Sequence, residues 1–227
     1  MTERTEKYVH ALRFDWLTTV YDPLMRWTLR EGRFKRHLLR NARIGPGDRA
    51  LDLGCGTATL TLMAKLSQPR AMLFGLDGDP KILEIARDKA RRVGLEVSLN
   101  QGFSTEMPYP NGFFDRVLSS LLFHHLTRES KQRTLAEVFR VLRPGGELHV
   151  ADWGKPANAL LAAAFSLVRT IDGHENTADN AEGRLPVLFR DAGFEEVVQV
   201  ARYATVYGSL YLHRARKPAE GAAGDKR

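Results

Sequence analysis

The chain is notable first for what it lacks. It has a single cysteine, Cys55, which cannot form an internal disulfide, and no cysteine–histidine cluster has the spacing of a metal site. No run of eighteen apolar residues occurs, so no segment is predicted to span a bilayer. The opening residues, MTERTEKYVH, are too polar for a secretory signal. Together these absences predict a cytoplasmic protein without a bound metal.

The formal net charge of +7 is concentrated in one N-terminal segment. Three interpretations are open: a solvated helix face, a patch that contacts a membrane surface or an anionic substrate, and a nucleic-acid-binding surface. No zinc-finger spacing or aromatic–basic RNA motif supports the third, so we expect no nucleic-acid partner. The basic residues of this segment are Arg26, Arg30, Arg33, Lys35, Arg36, Arg40 and Arg43.

Apolar patterning divides the 227 residues into three parts. Residues 1–43 have helical spacing and are predicted to form a helical lid or cap, and residues 214–227 a disordered tail. Residues 44–213 alternate short apolar strands with amphipathic helices, which predicts an α/β fold with helices on both faces of a mostly parallel sheet. Within that domain, the apolar and then polar, turn-rich residues 156–183 interrupt the alternation and are predicted to be an inserted lid segment.

Turn residues set several of the predicted boundaries. Arg143-Pro144-Gly145-Gly146 is expected to end a helix before a strand over 147–151. Strands are predicted at 195–200 and 204–213, joined by residues 201–203. So short a connector cannot hold a crossover helix, so these two strands must be antiparallel neighbours.

The stretch ALDLGCGTATL, residues 50–60, follows a predicted buried strand. Gly54 and Gly56 allow a tight turn and the close approach of a ligand, and the helix that follows directs its amide groups at the same place. A dinucleotide site would need a third glycine where Thr59 stands. A carboxylate at Asp52 would repel a pyrophosphate but attract a cationic amino group. The loop therefore predicts a nucleotide ligand that is not a nicotinamide dinucleotide.

Two acids follow the next predicted strand. Asp77 stands at its tip, where a carboxylate can accept both hydroxyl groups of a ribose. Asp79 precedes Pro80, the first residue of a predicted helix, and is expected to cap that helix. A capping role alone is the alternative for Asp77.

LDLGCGTA followed by GLDGDPKILEIA resembles the first two motifs of the class I S-adenosylmethionine-dependent methyltransferases. NQGFSTEMPYPNGFFDRVLSS, LLFHHL and EVFRVLRPGGELHVAD are similar to later motifs of that family, in the same order. The resemblance covers roughly residues 45–213. It is strongest to the small-molecule branch that includes the ubiquinone and menaquinone methyltransferases. It implies a Rossmann-like seven-stranded sheet whose last strand is antiparallel.

The resemblance also implies a donor site for S-adenosylmethionine, which leaves as S-adenosylhomocysteine. Asp52 would neighbour the methionine amino group, Asp77 would hold the ribose, and Ser120 would lie near the methionine. The remaining expected contacts run along the methionine and ribose at Gly54, Cys55 and Gly56 and around the adenine at Gly78, Ile82, Gly102, Phe103 and Ser104.

The motifs depart from the family at two positions. The third glycine of the loop is Ala58, a small substitution that leaves room for the ligand. The family often has an acid where Phe103 stands, and phenylalanine cannot accept a hydrogen bond from the adenine amino group. The loss of one hydrogen bond, about 0.5–1.5 kcal/mol, weakens donor binding without abolishing it.

Candidate catalytic and acceptor residues lie outside the glycine loop. His124 and His125 follow the fourth predicted strand and suit proton transfer near neutral pH, although a structural role is the open alternative. Asp152 and His174 are weaker candidates. The resemblance places an acceptor pocket between the N-terminal segment and the insertion, where aromatic lining suits an apolar acceptor. Its expected residues are Trp16, Tyr21, Trp27 and Phe165.

The motifs bear on three candidate functions. The predicted function is methyl transfer to a small, partly apolar acceptor, with C- or O-methylation of a quinone precursor favoured over an amine or a phospholipid headgroup. A non-catalytic S-adenosylmethionine-binding regulatory or partner subunit is the alternative. A nicotinamide oxidoreductase is disfavoured by Thr59 and Asp52.

Overall fold

A computed structural model describes residues 31–220, and a seven-stranded sheet forms the centre of this part of the chain. The strand order is β3-β2-β1-β4-β5-β7-β6. The strands are β1 (Arg49–Leu53), β2 (Met72–Asp77), β3 (Ser98–Gln101), β4 (Phe114–Ser120), β5 (Leu142–Trp153), β6 (Glu195–Thr205) and β7 (Gly208–Arg216).

Helices connect most of the strands, because neighbouring parallel strands require a crossover. A short 3-10 helix, Phe123–His125, follows β4. The α-helices are α1 (Glu31–Ala42), α2 (Thr59–Ser67), α3 (Pro80–Arg92), α4 (Arg128–Val141), α5 (Ala159–Asp172), α6 (His174–Ala181) and α7 (Leu185–Asp191).

The pairing confirms the predicted fold class. β1 lies between β2 and β4, with Leu51 beside Phe74 on one side and Val117 on the other, and both pairings are parallel. β7 runs antiparallel to β5 and to β6. The carboxyl ends of β1, β2, β4 and β5 therefore meet at one edge of the sheet, where ligands bind in open α/β sheets.

The core lies on the two faces of this sheet. One cluster joins Phe114, Leu135 and Phe189, so α4 and α7 cover one face. The other includes Phe34 of α1 and Trp153 of β5. Burying one large apolar side chain stabilises the folded state by about 1.5–3 kcal/mol. Because many such side chains pack on both faces of the sheet, the strand ends that form the site are held in place.

The C-terminal boundaries differ from those predicted. Residues 201–203 lie inside β6, and the antiparallel turn comes later, at Val206 and Tyr207. β7 continues to Arg216, and the Lys217 ammonium then donates to the carbonyls of Phe139 and Leu142, each at 2.7 Å. The predicted tail from 214 is therefore wrong for its first residues, because ladder and side-chain bonds hold them to the sheet. Residues 221–227 lie outside the described part.

Two further predicted boundaries are wrong. Arg143–Gly146 does not separate a helix from a strand, because β5 already begins at Leu142, directly after α4. The polar end of the insertion is not turn-rich, since most of it forms α6. The insertion 156–183 is thus a pair of consecutive helices, α5 and α6.

The described part of the basic N-terminal segment lies on α1 and the turn after it. Arg33, Arg36, Arg40 and Arg43 are exposed, whereas Lys35 is buried and pairs with Glu31. Contact of this face with a membrane or another anionic surface stays a prediction. Among residues 31–220, no helix has the length and apolar character needed to cross a bilayer.

Candidate functional site

The turn between β1 and α2 contains three residues in left-handed backbone conformations. Their φ angles are +70° at Gly54, +52° at Gly56 and +58° at Ala58. The N–H groups of Gly54 and Cys55 donate to the Leu76 carbonyl at 2.9 and 3.1 Å, which fixes the turn to the end of β2. A Cβ at Gly56 would meet no described atom within 4 Å, so the backbone is open to a ligand at this point.

The Cys55 side chain faces the sheet. It is buried, and its sulfur lies 2.9 Å from where a Cβ on Gly75 would stand, so the glycine of β2 makes room for it. Burial, followed by the negative charges of Asp52 and Asp77, raises the pKa of the thiol far above its usual range. Only the backbone of Cys55 is therefore placed to contact a ligand, and the thiol is not a nucleophile.

Asp77 joins the ends of two strands. Its Oδ2 accepts a hydrogen bond from the Gly56 N–H at 2.9 Å, and its Oδ1 accepts one from the Asp79 N–H at 3.0 Å. Burial raises the pKa of Asp77, against the opposing effect of these backbone bonds. The carboxylate thus stands directly beside the open glycine turn.

The predicted cap of α3 is confirmed. Asp79 accepts hydrogen bonds from the N–H groups of Lys81 and Ile82 at 2.9 and 3.3 Å, and Pro80 occupies the first turn. Gly78 directly follows Asp77, and Ile82 lies in the first turn of α3, whose start this cap fixes.

Asp52 does not face the open turn. It is 1% exposed, and the Thr61 hydroxyl of α2 donates to its Oδ2 at 2.6 Å. Burial raises the pKa of Asp52 to about 6, while Thr61 and the charge of Lys35 oppose that rise. The expectation that Asp52 neighbours the donor's amino group is therefore corrected: its carboxylate is packed beneath the loop and ties β1 to α2.

The segment after β3 contacts both Asp77 and α4. The Gly102 N–H donates to the Asp77 carbonyl at 3.0 Å, and Phe103 is 53% exposed. The Ser104 hydroxyl lies 2.8 Å from that of Thr134, so it is already engaged with α4. The backbone of Ser104 is therefore better placed than its hydroxyl to contact a ligand.

Ser120 ends β4 at the same edge of the sheet. Its Oγ is buried and has no hydrogen-bond partner within the described residues. Two residues later, Leu122 lies against the glycine turn, since a Cβ on Gly54 would meet its Cδ1 at 2.9 Å. The loop after β4 is thus in contact with the loop after β1.

His124 and Asp152 form a buried pair at the ends of β4 and β5. His124 Nδ1 lies 2.8 Å from Asp152 Oδ1, and both side chains are at most 5% exposed. Asp152 also accepts from the backbone N–H groups of Phe123 and Trp153, each at 2.7 Å. Burial alone would raise the pKa of Asp152, but His124 and these donors hold it below its usual value. A carboxylate only accepts, so Nδ1 of His124 carries a proton and donates it in this bond.

A second carboxylate faces Nε2 of His124. Asp172, the last residue of α5, places Oδ2 3.6 Å from His124 Nε2 and Oδ1 3.4 Å from His125 Nδ1. The ring centroids of His124 and His125 are 4.0 Å apart. Burial, then the neighbouring His124, lowers the pKa of His125. The structure thus brings together both predicted histidines and Asp152, whereas His174 is exposed.

Helix α6 holds this cluster in place through buried polar groups. Asp179 pairs with Arg128 and lies 3.5 Å from the Lys131 ammonium, both on α4. The Asn180 amide donates to Asp152 Oδ1 at 3.2 Å and to the Trp153 carbonyl at 3.0 Å. The insertion is therefore fixed to the ends of β5 and α4 by charged and amide contacts.

The predicted acceptor residues are not found together. Phe165 is 1% exposed and packs against Trp153 and Gly208, so it is a core residue that does not line a pocket. That expectation is corrected, because its side chain fills the space between α5 and the sheet. Trp16, Tyr21 and Trp27 lie outside the described residues.

Sequence reasoning missed Asp172 and Asn180. Both belong to the insertion, far in sequence from the histidines they approach. The only local signal was a carboxylate directly after a strongly apolar helical stretch. The predicted absence of a metal-ligating cluster rested on sequence spacing, and the fold brings His124, His125 and Asp172 together regardless of it.

Comparisons with known proteins agree with this geometry. The family model "Methyltransferase domain" matches residues 50–146. The chain is 33% identical to an uncharacterized methyltransferase of Synechocystis, over 82% of this chain and 84% of that one. It is 28% identical to a demethylmenaquinone methyltransferase of Symbiobacterium thermophilum, over 96% of each chain.

A solved structure with the same fold is that of phosphoethanolamine N-methyltransferase 2 from Haemonchus contortus in complex with S-adenosyl-L-methionine. The TM-score is 0.67 at 14% identity, covering 82% of this chain and 52% of that one. At this identity the likeness shows the fold alone.

Proposed function

The chain belongs to the class I S-adenosylmethionine-dependent methyltransferases, and we propose that its acceptor is a small molecule with an apolar body, of the quinone-precursor kind. The demethylmenaquinone methyltransferase with which it aligns over nearly its full length supports this acceptor class. The acceptor atom would be a carbon or an oxygen of such a molecule. Amines and phosphorylated headgroups are less favoured as acceptors.

The residues at the sheet edge fit S-adenosylmethionine. Gly56 leaves open the space that any side chain would fill, and Ser120 offers a buried hydroxyl with no partner in the described chain. Asp77 holds its carboxylate between these loops, where it would accept the ribose hydroxyls. Asp52 would act indirectly, by holding the glycine loop through Thr61.

The remaining contacts would follow the loops in order. Gly54 and the backbone of Cys55 would lie along the methionine and ribose. The adenine would lie between the start of α3 and the segment after β3, held by shape because Phe103 replaces an acid. The residues concerned are Gly78, Ile82, Gly102, Phe103 and Ser104.

When bound, the donor supplies a methyl group already activated by the sulfonium charge. The protein's part is to align the acceptor and exclude water, which is worth about 7–11 kcal/mol in favourable cases. The His124–Asp152 pair adds an imidazole whose Nδ1 is held by a carboxylate, on the loop that contacts the glycine turn through Leu122. An acceptor that loses a proton during transfer would meet the protein at this pair.

The single observation that carries the proposal is the Asp77–Gly56 hydrogen bond across an open glycine turn. The test is transfer of a labelled methyl group to a panel of demethylated quinols, phenols, amines and phosphoethanolamine, with donor binding measured by calorimetry. Label in the quinols is the expected result. Donor binding with no transfer to any member of the panel would instead favour a non-catalytic donor-binding subunit. Preferential transfer to an amine or to phosphoethanolamine would overturn the quinone-type acceptor.

A further inference from the structure

Three ligand atoms of His124, His125 and Asp172 converge where the loop after β4 meets the end of α5. One atom from each residue lies within 4.8 Å of the other two. We infer that these three side chains form a binding site for one divalent transition-metal ion of the zinc type. We place it at the acceptor end of the proposed active site, on residues other than those proposed to hold the donor.

The spacing of the three residues favours shared ligation over direct bonding between them. The two histidine-to-Asp172 separations, 3.6 and 3.4 Å, exceed an ordinary hydrogen bond. Ligands at about 2.0–2.2 Å from one tetrahedral zinc ion stand roughly 3.3–3.5 Å apart. The two separations to Asp172, each measured to a different carboxylate oxygen, are therefore close to those that a single ion would impose, and all three ligand atoms lie within 4.8 Å of one another.

The hydrogen bond from His124 to Asp152 also favours a metal site. Metal-ligating histidines characteristically donate their other ring N–H to a carboxylate, which fixes the tautomer and the ring orientation. Asp152 does this for His124, and it is itself fixed by two backbone N–H groups and by the Asn180 amide. Nε2 of His124 is thereby held 3.6 Å from Asp172 Oδ2.

The types of the three ligating side chains determine which class of metal ion the site favours. Two imidazoles and one carboxylate suit zinc, cobalt, nickel or iron in the divalent state, whereas magnesium and calcium prefer oxygen ligands alone. Three protein ligands leave a coordination position open, as in catalytic rather than structural zinc sites. The His125 side chain, 32% exposed, gives the ion and a further ligand a route from solvent.

This assignment rests on the proposed function for its role. An acceptor hydroxyl that takes the open position gives its proton to water, and its oxygen keeps the electron pair as an oxyanion beside the ion. The ion then supplies the acidification that would otherwise require a histidine base. The acceptor class is thereby narrowed to molecules with a phenolic or hydroquinone oxygen at or next to the methylated position.

The test begins with the metal alone. Tag-free full-length chain is stripped with a chelator and titrated with Co²⁺, followed by visible absorption, and bound Co²⁺ is then displaced with Zn²⁺. We expect one equivalent to bind with the bands of a four- or five-coordinate ion, and Zn²⁺ to remove them. A wild-type spectrum that never departs from that of hydrated Co²⁺ would overturn the site.

Variants locate the ion. His125→Gln and Asp172→Asn are each expected to weaken Co²⁺ binding at least tenfold, whereas His174→Gln, an exposed histidine two residues from Asp172, keeps wild-type affinity. Equal affinity in all three variants, or a loss confined to His174→Gln, would place the ion elsewhere. Donor binding by calorimetry checks the fold of each variant, and the wild-type spectrum decides the question if a variant does not fold.

The experiments can contradict the metal site and the proposed function independently of each other. If one equivalent of Co²⁺ binds but no methyl group is transferred to any quinol or phenol, the result would support the metal site and contradict the proposed acceptor class. Methyl transfer by metal-free protein, unchanged when Zn²⁺ is restored, would remove the ion's proposed role in the reaction.

Discussion

Asp77 Oδ2 accepts a hydrogen bond from the Gly56 N–H at 2.9 Å, so the acid that ends β2 fixes the turn that follows β1. We expect Asp77→Ala to weaken S-adenosylmethionine binding at least tenfold, since it removes both the proposed ribose acceptor and the bond that shapes the turn. Isothermal calorimetry at constant pH measures the change.

Asp79→Ala is the matched control for Asp77→Ala. Asp79 caps α3 through Lys81 and Ile82, and the loss of such a cap costs about 1 kcal/mol of stability. Donor affinity is expected to stay within about twofold of wild type. Equal loss of donor binding in the two variants would show that Asp77 acts only by supporting the fold.

Gly54 and Gly56 are expected to respond differently to substitution by alanine. Both have positive φ angles, which cost alanine about 1–2 kcal/mol. At Gly54 the new Cβ also meets Leu122 at 2.9 Å, so Gly54→Ala should destabilise the protein more. At Gly56 the Cβ enters open space, so Gly56→Ala should lose donor binding beyond its effect on stability.

Urea unfolding and calorimetry on both glycine variants separate these effects. Wild-type donor affinity in a folded Gly56→Ala protein would mean that the open space at Gly56 is not the donor site. A larger loss of stability in Gly56→Ala than in Gly54→Ala would contradict the packing described for Leu122.

Asp152 is expected to act as a positioning residue for His124. In the wild type, a long-range ¹H–¹⁵N spectrum should show His124 protonated at Nδ1, because Asp152 accepts from that atom. Asp152→Asn should shift His124 toward the other tautomer and slow methyl transfer at least tenfold, with donor affinity retained. An unchanged tautomer in the variant, or a rate loss matched by loss of donor binding, would contradict this role.

The sequence was sufficient to predict the residues whose role depends on local pattern. Strand–helix alternation, the turn at Gly54 and Gly56 and the Asp79 cap all follow from short-range rules of periodicity and backbone conformation. The same rules predicted that the last two strands are antiparallel, although the turn lies at Val206–Tyr207 instead of 201–203.

Helix α6 shows where such rules fail. Its buried residues are Thr177, Asp179 and Asn180, so the face it buries is polar and gives no apolar periodicity. The last two contact groups on other elements: Asp179 pairs with Arg128 and Lys131, and the Asn180 Nδ2 group donates to Asp152. No pattern within 172–183 could show partners that tertiary structure supplies. The position of Asp172 beside the histidines was missed for the same reason.

Cys55 is expected to be unreactive in the folded protein. Its thiol is buried, and burial with two neighbouring carboxylates raises its pKa, so the thiolate that attacks alkylating reagents is scarce near neutral pH. Iodoacetamide should modify Cys55 far more slowly in native protein than in urea. Cys55→Ala should keep donor affinity within about twofold, because only the backbone at this position faces the ligand. Rapid native labelling, measured by mass spectrometry, would contradict the burial.

His213 is expected to make the protein acid-sensitive below its ordinary titration range. The ring is 6% exposed, stacks on Tyr211 and contacts Phe189 edge-on. Burial lowers its pKa from 6.5 to about 4, although the charge of Asp152 opposes that shift. The folded state therefore resists a proton that the unfolded chain accepts. The contribution of His213 to the free energy of unfolding is fully present above pH 6.5. It is lost as the pH falls from 6.5 toward 4, which lowers the free energy of unfolding by up to about 3 kcal/mol.

His213→Phe tests this dependence, because a phenyl ring keeps the aromatic contacts and cannot take up a proton. Urea unfolding at a series of pH values between 7.5 and 4.5 should show a shallower loss of stability in His213→Phe than in wild type. His174→Phe, at an exposed position, should keep the wild-type slope. The same slope in His213→Phe and wild type would mean that other groups carry the acid sensitivity and that His213 is protonated as readily in the folded chain as in the unfolded one.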